Sequence, residues 1–225
     1  MENYERRTFD RPVEFRAAPE GASSPGTLAG YAAVFNSESR DLGGWSEIID
    51  PAAFGPVGDF DLAGNGVRVM CRGEHLSVQL LGTTDAQPTP TLRISVDEVG
   101  VFYECDLPNT GAGRDIAVLA ARGDYKHSSF AFRTAPDGAE WFFNENDQIV
   151  RRVLRAQLID VAPVADPAYW EATTGLTSAR SFDLDAIRAS ITPALETETA
   201  PLGQRAAVAA RALAMQVTAE GSRHK

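Results

Sequence analysis

The sequence predicts a mainly β fold with a few short helices, and the character of its apolar segments supports this prediction. The middle of the chain consists of short apolar runs of strand length, separated by turn-forming residues. These runs are rich in β-branched and aromatic residues, which favour strands. Strands repeated at such short intervals are typical of a barrel or a sandwich rather than of alternating βαβ units.

The predicted strands begin after an N-terminal loop. Residues 17–27 are small and rich in Gly, Pro and Ser, so we expect residues 1–25 to form a tail and linker. The strands that follow are predicted within seven apolar runs. These are LAGYAAVFN (28–36), VRVMC (67–71), TLRISV (91–96), GVFYECDL (100–107), SSFAFR (128–133), AEWFFN (139–144) and QIVRRVLRAQLIDVAPV (148–164).

Two helical segments interrupt these strands. RDIAVLAAR (114–122) places its apolar residues on one face, and Gly123 is suited to end the helix in a left-handed conformation. DPAAFGPV (50–57) predicts one short helical turn that begins at Pro51.

The character of the chain changes from about Thr173. SFDLDAIRAS (181–190) predicts a short helix, TPALETETAP (192–201) a polar linker, and QRAAVAARALAMQV (204–217) an Ala-rich helix. We therefore expect the main domain to span residues 26–172. Residues 173–225 are expected to be a C-terminal appendage with little core of its own.

Composition and charge exclude several classes of function. The net charge of −10 argues against a nucleic-acid-binding surface as the main role, although a local basic patch around Arg151, Arg152 and Arg155 stays open. The N-terminal residues are charged and no run approaches the ~18 apolar residues of a membrane span, so we expect neither a secretory signal nor a membrane partner.

The sequence also lacks the motifs of common metal and phosphate sites. Its three histidines and two cysteines do not show CxxC or HExxH spacing. The glycine-rich stretches LAGNG and TGAG lack the lysine and the strand–loop–helix context of a phosphate-binding loop. We therefore expect no metal and no cofactor, and two free thiols at Cys71 and Cys105.

A serine in the stretch GDYKHSSFAFR (123–133) is the candidate nucleophile. In a strand, Ser128 shares a face with the two phenylalanines, whereas Ser129 shares the opposite face with His127. Since the phenylalanines are expected to face the core, Ser129 is expected on the polar, solvent-facing side, where a substrate could reach it. The pattern alone does not distinguish Ser129 from an ordinary surface serine.

A serine nucleophile needs a base, and that base needs an orienting partner. His127 would rise nearly parallel to Ser129 from the same strand, which makes a direct hydrogen bond awkward. His75 lies in a turn after a strand, from which it could be aimed at a neighbouring strand, but it also fits an ordinary surface histidine. Asp160 sits in the apolar run LIDVAPV, where it is either a buried, paired carboxylate or an edge-strand residue that faces water.

Together these segments resemble a known family, the prohead maturation proteases of tailed phages, which are distant relatives of the herpesvirus assemblins. The resemblance extends from about Gly30 to Tyr169 and is carried by six segments in order. These are GYAAVFN (30–36), DLGGWSEIIDPAAF (41–54), VRVMCRGEHLSVQLLGTT (67–84), VFYECDLPNT (101–110), RDIAVLAARGDYKHSSFAFR (114–133) and RAQLIDVAPVADPAY (155–169).

The resemblance implies a fold, a site and partners. The fold would be a mostly antiparallel β-barrel core flanked by short helices. The catalytic residues would be Ser129 as nucleophile, His75 as base and Asp160 as the third member of a Ser-His-Asp type triad. The enzyme would be a serine endopeptidase that acts inside the assembling prohead in the host cytoplasm. Its partners would be the major capsid protein, the scaffold protein or both, with a homodimer left open, and residues 173–225 would be a segment removed by self-cleavage.

The sequence departs from the family pattern at three places. Glu74-His75-Leu76 replaces the usual Asn-His-Asp, Ala131 replaces a glycine, and Asp160 is one methylene shorter than the usual glutamate. These departures favour an alternative, a catalytically inactive capsid assembly or scaffolding protein with the same barrel. A further alternative uses Cys71 or Cys105 as the nucleophile, although nothing in the sequence pairs either cysteine with a histidine.

Overall fold

The structure is a computed structural model that describes residues 4–9, 12–55, 68–165 and 182–199, the last eight of these by their backbone alone. The described residues form twelve strands and two α-helices. The strands are β1 (Glu5–Phe9), β2 (Glu14–Ala17), β3 (Gly26–Val34), β4 (Trp45–Ile49), β5 (Met70–Arg72), β6 (Leu80–Thr83), β7 (Leu92–Val96), β8 (Gly100–Asp106), β9 (His127–Thr134), β10 (Ala139–Phe143), β11 (Ile149–Val153) and β12 (Ala156–Val164). The helices are α1 (Gly111–Arg122) and α2 (Leu184–Thr199).

The strands form three sheets, in the orders β1-β9-β12-β5-β6, β10-β11-β4 and β2-β3-β8-β7. Most neighbouring strands are antiparallel, but β12 runs parallel to β5 and β11 runs parallel to β4. The prediction of a mainly β, mostly antiparallel fold with a few helices is therefore confirmed.

The predicted closed barrel is not found, because the three sheets formed by the described residues are open. One cause lies in the run 148–164, which the sequence predicts as a single apolar stretch. The N–H groups of Leu154 and Arg155 both donate to the carbonyl oxygen of Gly138, at 2.8 and 3.0 Å, instead of continuing a ladder. The chain consequently leaves one sheet at the end of β11 and enters another at the start of β12.

Four strands lie outside the seven predicted runs. Two of them, β1 and β2, fall within residues 1–25, and β1 pairs along its full length with β9. The other two are β4, which precedes β5 in the chain, and β6, which follows it. The boundaries proposed for the main domain and its appendage stay a prediction.

Helix α1 is longer than predicted at its N-terminus. Helix α1 begins at Gly111, three residues earlier than predicted, because the Thr110 side chain accepts a hydrogen bond from the Gly113 N–H. It ends at Gly123, whose φ of 82° is the left-handed conformation expected there. Residues 51–55 form a turn rather than the predicted helical turn, and the last two residues of that prediction, 56 and 57, lie outside the described residues.

Helix α2 extends to Thr199 and so includes most of the predicted polar linker. Its first half packs on the β10-β11-β4 sheet, where Ile191 and Phe182 join Trp45, Trp141 and Ile149 in a small apolar cluster. The predicted Ala-rich helix lies outside the described residues. Neither described helix is both long and apolar enough to cross a membrane.

Candidate active site

Three predicted site residues from separate elements meet in one hydrogen-bonded chain. Ser129 lies in β9, Asp160 lies in the adjacent β12, and His75 lies in the turn after β5. The His75 Nδ1 atom is 2.6 Å from Asp160 Oδ1, and the His75 Nε2 atom is 2.6 Å from Ser129 Oγ. All three side chains are buried, so water does not compete for these bonds.

The turn that carries His75 has an unusual backbone. Glu74 and His75 have φ values of 51° and 57°, in the left-handed region that non-glycine residues seldom adopt. Two contacts hold this turn in place: the Leu76 N–H donates to the Gly73 carbonyl at 2.8 Å, and the Glu74 carboxylate accepts from the Ala165 N–H at 2.8 Å. The second contact ties the turn to the end of β12, the strand that carries Asp160.

The packing beneath this turn requires a glycine. A Cβ atom on Gly73 would lie 2.6 Å from the Ile116 side chain of α1 and closer still to the Gln79 side chain. Tyr125 interacts with the turn through a hydrogen bond with the Glu74 side chain. Burial raises the pKa of Tyr125, and the neighbouring charge and hydrogen bond of Glu74 raise it further.

Asp160 is fully buried and paired, which decides between the two alternatives that its sequence left open. Its Oδ1 atom contacts His75, and its Oδ2 atom lies 3.2 Å from the guanidinium of Arg72. Arg72 was not predicted as a site residue, although a cation immediately before the Gly73 turn could have indicated it. With Nδ1 donating to Asp160, the Nε2 atom of His75 is left to accept a proton from Ser129.

The prediction that Ser129 faces solvent is wrong, because only 1% of its surface is exposed. The alternation itself is as expected: Ser128 faces the phenylalanine side and its hydroxyl lies 3.1 Å from that of Tyr103. However, β1 pairs with β9 and places Thr8 beside Ser129, and the His75 ring contacts the Ser129 hydroxyl. Both faces of β9 are therefore buried from Ser128 to Phe132, and His127 is half-buried at the start of the strand.

The Ser129 hydroxyl has a second partner in β1. Its Oγ atom donates to the main-chain carbonyl oxygen of Arg7 at a distance of 2.9 Å. A serine hydroxyl carries one proton, so it cannot donate to Arg7 and to His75 at the same time. Strand β1 thus competes with the imidazole for the proton that a base would remove.

A buried ion cluster made of Glu5, Arg7, Glu47 and Arg151 fixes β1 to the rest of the molecule. Arg7 makes two hydrogen bonds to the Glu47 carboxylate, at 2.7 and 3.1 Å. Arg151 lies 2.6 Å from Glu5 and 2.8 Å from Glu47. Arg151 is only 3% exposed, so it belongs to this cluster and not to a basic surface patch.

The cysteine alternative finds no support in the geometry. Cys71 and Cys105 are both free and fully buried. The hydrogen bond with Cys105, burial and the nearby Asp160 charge raise the pKa of Cys71 well above its ordinary value. Since the thiolate is the reactive form, such a thiol is a poor nucleophile. Among the described residues, no group of three or more His, Cys, Asp or Glu side chains is arranged to hold a metal ion.

Comparison with known proteins gives one finding. The model of the family described as Caudovirus prohead serine protease matches residues 12–186, more than three quarters of the chain. The matched range contains Ser129, His75 and Asp160, whereas β1 lies before it. The curated proteins and the solved structures gave no match.

Proposed function

The chain belongs to the caudovirus prohead serine protease family, and we propose that Ser129, His75 and Asp160 are the catalytic triad of this protease. The observation that carries the proposal is the continuous chain of hydrogen bonds from Asp160 through His75 to Ser129, each 2.6 Å long. Nucleophile, base and orienting acid in this order are what acyl transfer by a serine requires.

Each residue would have a defined step in peptide hydrolysis. The Nε2 atom of His75 takes the Ser129 proton while Oγ attacks the carbonyl carbon of the scissile bond. His75 then protonates the leaving amine, and a water molecule activated by the same imidazole hydrolyses the acyl-enzyme. Asp160 stays ionised throughout, holds the ring and stabilises the imidazolium.

The substrates we propose are proteins of the assembling capsid. As a prohead protease, the chain associates with capsid or scaffold proteins. We propose that it cleaves the scaffold protein or the scaffolding segment of the major capsid protein, inside the prohead. The polar segment 173–225 is proposed to be a further substrate, which the protease removes from itself.

The test compares two adjacent serines. Ser129→Ala and Ser128→Ala are each co-expressed with the phage coat protein, and the coat protein and the protease are then analysed by mass spectrometry. Ser129→Ala is expected to leave both proteins full length, because the nucleophile is lost. Ser128→Ala makes the same chemical change in the same strand. Because the Ser128 hydroxyl faces Tyr103 and not His75, processing is expected to continue. Unchanged processing by Ser129→Ala would contradict the assignment.

The wild-type chain in the same experiment separates the protease from an inactive assembly protein. An active protease shortens the coat protein and yields new protein termini, whereas an inactive protein leaves every partner intact. A thiol-blocking reagent is expected to have no effect on processing, since Cys71 and Cys105 are buried.

A further inference from the structure

Strand β1 occupies the edge of β9 at which a substrate peptide would have to bind. It is the outermost strand of its sheet and pairs antiparallel with β9, with Thr8 opposite Ser129 and Arg7 opposite Phe130. A free strand edge beside a protease nucleophile is a natural site for an extended peptide, which adds to the sheet through main-chain hydrogen bonds. In this structure the chain itself fills that position.

The register of β1 places one peptide bond against the nucleophile. The carbonyl oxygen of Arg7 is 2.9 Å from Ser129 Oγ, so the Arg7–Thr8 bond is the one nearest to the hydroxyl. A substrate bound in the same register would present the residue at the Arg7 position immediately before its scissile bond.

The side chain of Arg7 enters a pocket that matches a guanidinium group. The Glu47 carboxylate, only 2% exposed, accepts two hydrogen bonds from it, in the two-pronged geometry that arginine favours. The guanidinium carbon also lies 5.7 Å from the centre of the Trp45 ring and 5.5 Å from that of Phe132, within the range of cation–π attraction. Glu47 and Trp45 belong to β4, in a different sheet, and so are not part of the strand that a substrate would replace.

A second pocket holds the residue two positions earlier. Residues i and i+2 of a strand share a face, so Glu5 lies beside Arg7. Its carboxylate contacts the buried Arg151 at 2.6 Å and accepts from the Thr134 hydroxyl at 2.8 Å. Glu47 and Arg151 thus form a fixed pair of opposite charges, which complements the pair that β1 presents.

We propose that Glu47 and Arg151, with the Trp45 ring, form the specificity site of the protease, which selects peptides with arginine before the scissile bond and an acidic residue two positions earlier. Strand β1 is an intramolecular mimic of such a peptide and blocks the site until it is displaced. The proposal rests on Ser129 as the nucleophile only for the position of the scissile bond, since the pocket itself is defined by Arg7.

The first experiment measures access to Ser129 with a fluorophosphonate reagent that labels nucleophilic serines. In full-length Arg7→Ala, β1 loses its anchor at Glu47, and we expect labelling about tenfold faster than in the wild type because the open state is more populated. Arg6→Ala is the matched control: it removes the same charge one residue away, where the side chain donates a hydrogen bond to the Tyr4 hydroxyl. Equal labelling of folded Arg7→Ala and wild type would overturn the blocking role of β1.

The second experiment tests the pocket without using activity. Benzamidine, a small planar cation, is expected to raise the Tm of Arg7→Ala, because a ligand of the folded state stabilises it. It is expected to leave the wild type unchanged, where Arg7 fills the pocket, and also the double variant Arg7→Ala/Glu47→Gln. No shift in Arg7→Ala would overturn the guanidinium pocket. A Tm shift in Arg7→Ala without any labelling of Ser129 would instead contradict the assignment of Ser129 as the nucleophile and would still support the guanidinium pocket.

The third experiment tests selectivity with quenched fluorescent peptides on Arg7→Ala. A peptide with Glu-Ala-Arg-Thr is expected to be cleaved after arginine at least about tenfold faster than one with Glu-Ala-Gln-Thr, since glutamine cannot replace the two-pronged, charged contact that arginine makes with Glu47. Equal rates would overturn the specificity. If Arg7→Ala does not fold, Arg7→Lys replaces it: lysine keeps the charge but loses the two-pronged bond, so labelling faster than the wild type is still expected.

Discussion

Asp160 has two partners, and only one of them belongs to the proposed triad. The second, Arg72, places a positive charge 3.2 Å from the carboxylate oxygen that does not face His75. A buried carboxylate needs such partners to stay ionised and fixed in direction. We therefore regard Arg72 as a positioning residue that acts through Asp160.

Arg72→Gln is expected to lower kcat about tenfold with little change in KM, because the orientation of Asp160 is loosened while the substrate site is untouched. Arg72→Lys should recover part of the loss, since it restores the charge. Arg68→Gln is the control, as its ion pair with Asp85 is exposed and of small energetic value. Steady-state kinetics on one peptide would decide, and an effect on KM alone would contradict a positioning role.

Asp160→Asn tests the proposed third member of the triad directly. An amide can donate to Nδ1 and so favour the tautomer whose Nε2 carries a proton, which cannot accept one from Ser129. We expect kcat to fall about 10⁴-fold, as in other serine proteases with this change, while the protein stays folded by circular dichroism. Asp85→Asn, at an exposed site, should leave kcat unchanged. A loss of tenfold or less would show that Asp160 is not the orienting acid.

The residues of this site could be predicted only in part from the sequence. Period-two alternation separates Ser129 from Ser128, because that rule depends on the strand alone. Whether a face is buried depends on what packs against it, and the charged strand β1 (ERRTF) gave no apolar signal that it would cover Ser129. Arg72 was missed for the same reason, since its partner lies in another strand.

At the level of elements, eight of the twelve described strands overlap the predicted apolar runs, and β1, β2, β4 and β6 do not. Strands β3, β8, β9 and β12 lie within predicted runs, whereas β1 contains three charged residues and β6 only four residues in all. The sheet topology could not be predicted from the sequence. No local pattern indicates that the N–H groups of Leu154 and Arg155 donate to the Gly138 carbonyl oxygen and so separate β11 from β12. The linker prediction for 192–201 relied on polarity and on Pro193, yet the backbone of α2 continues through them to Thr199.

The packing of α2 gives a prediction about the C-terminal segment. Phe182 makes edge-on contacts with Trp45 and Trp141, with ring centres 5.3 and 4.9 Å apart, and lies 5.1 Å from the Arg151 guanidinium. Since Phe182 is only half-buried, Phe182→Ala is expected to lower the free energy of unfolding by about 1–3 kcal/mol. Urea unfolding measures this change.

The control for Phe182 is Val118→Ala on the outer face of α1. Val118 is 58% exposed, so its truncation is expected to change the free energy of unfolding by no more than about 0.5 kcal/mol. If Phe182→Ala has an equally small effect, residues 182–191 do not pack on the β10-β11-β4 sheet in solution.

At the scale of the whole molecule, the buried ion cluster joins the N-terminal strand β1 to the β10-β11-β4 sheet and makes stability depend on pH. Burial raises the pKa of Glu5, but the hydrogen bond and charge of Arg151, the charge of Arg7 and the Thr134 hydroxyl outweigh it and hold that pKa below the ordinary glutamate value. The ionised form is therefore favoured by folding. The resulting stabilisation is fully present above the unfolded-state pKa, about 4.3, and is lost as the pH falls through the lower folded-state pKa.

Glu5→Gln is accordingly expected to be less stable than the wild type at pH 7, with a difference that shrinks as the pH falls below about 4. Urea unfolding of both proteins across this range measures the difference, and Glu20→Gln, at an exposed position, should match the wild type at pH 7. If β1 is the blocking strand, lowering the pH should raise the ratio of the fluorophosphonate labelling rate of Arg6→Ala to that of Arg7→Ala. The reason is that acid is expected to release β1 only in Arg6→Ala, since in Arg7→Ala the strand is expected to be released already. A stability difference between wild type and Glu5→Gln that does not vary with pH would show that Glu5 does not hold β1 through its charge.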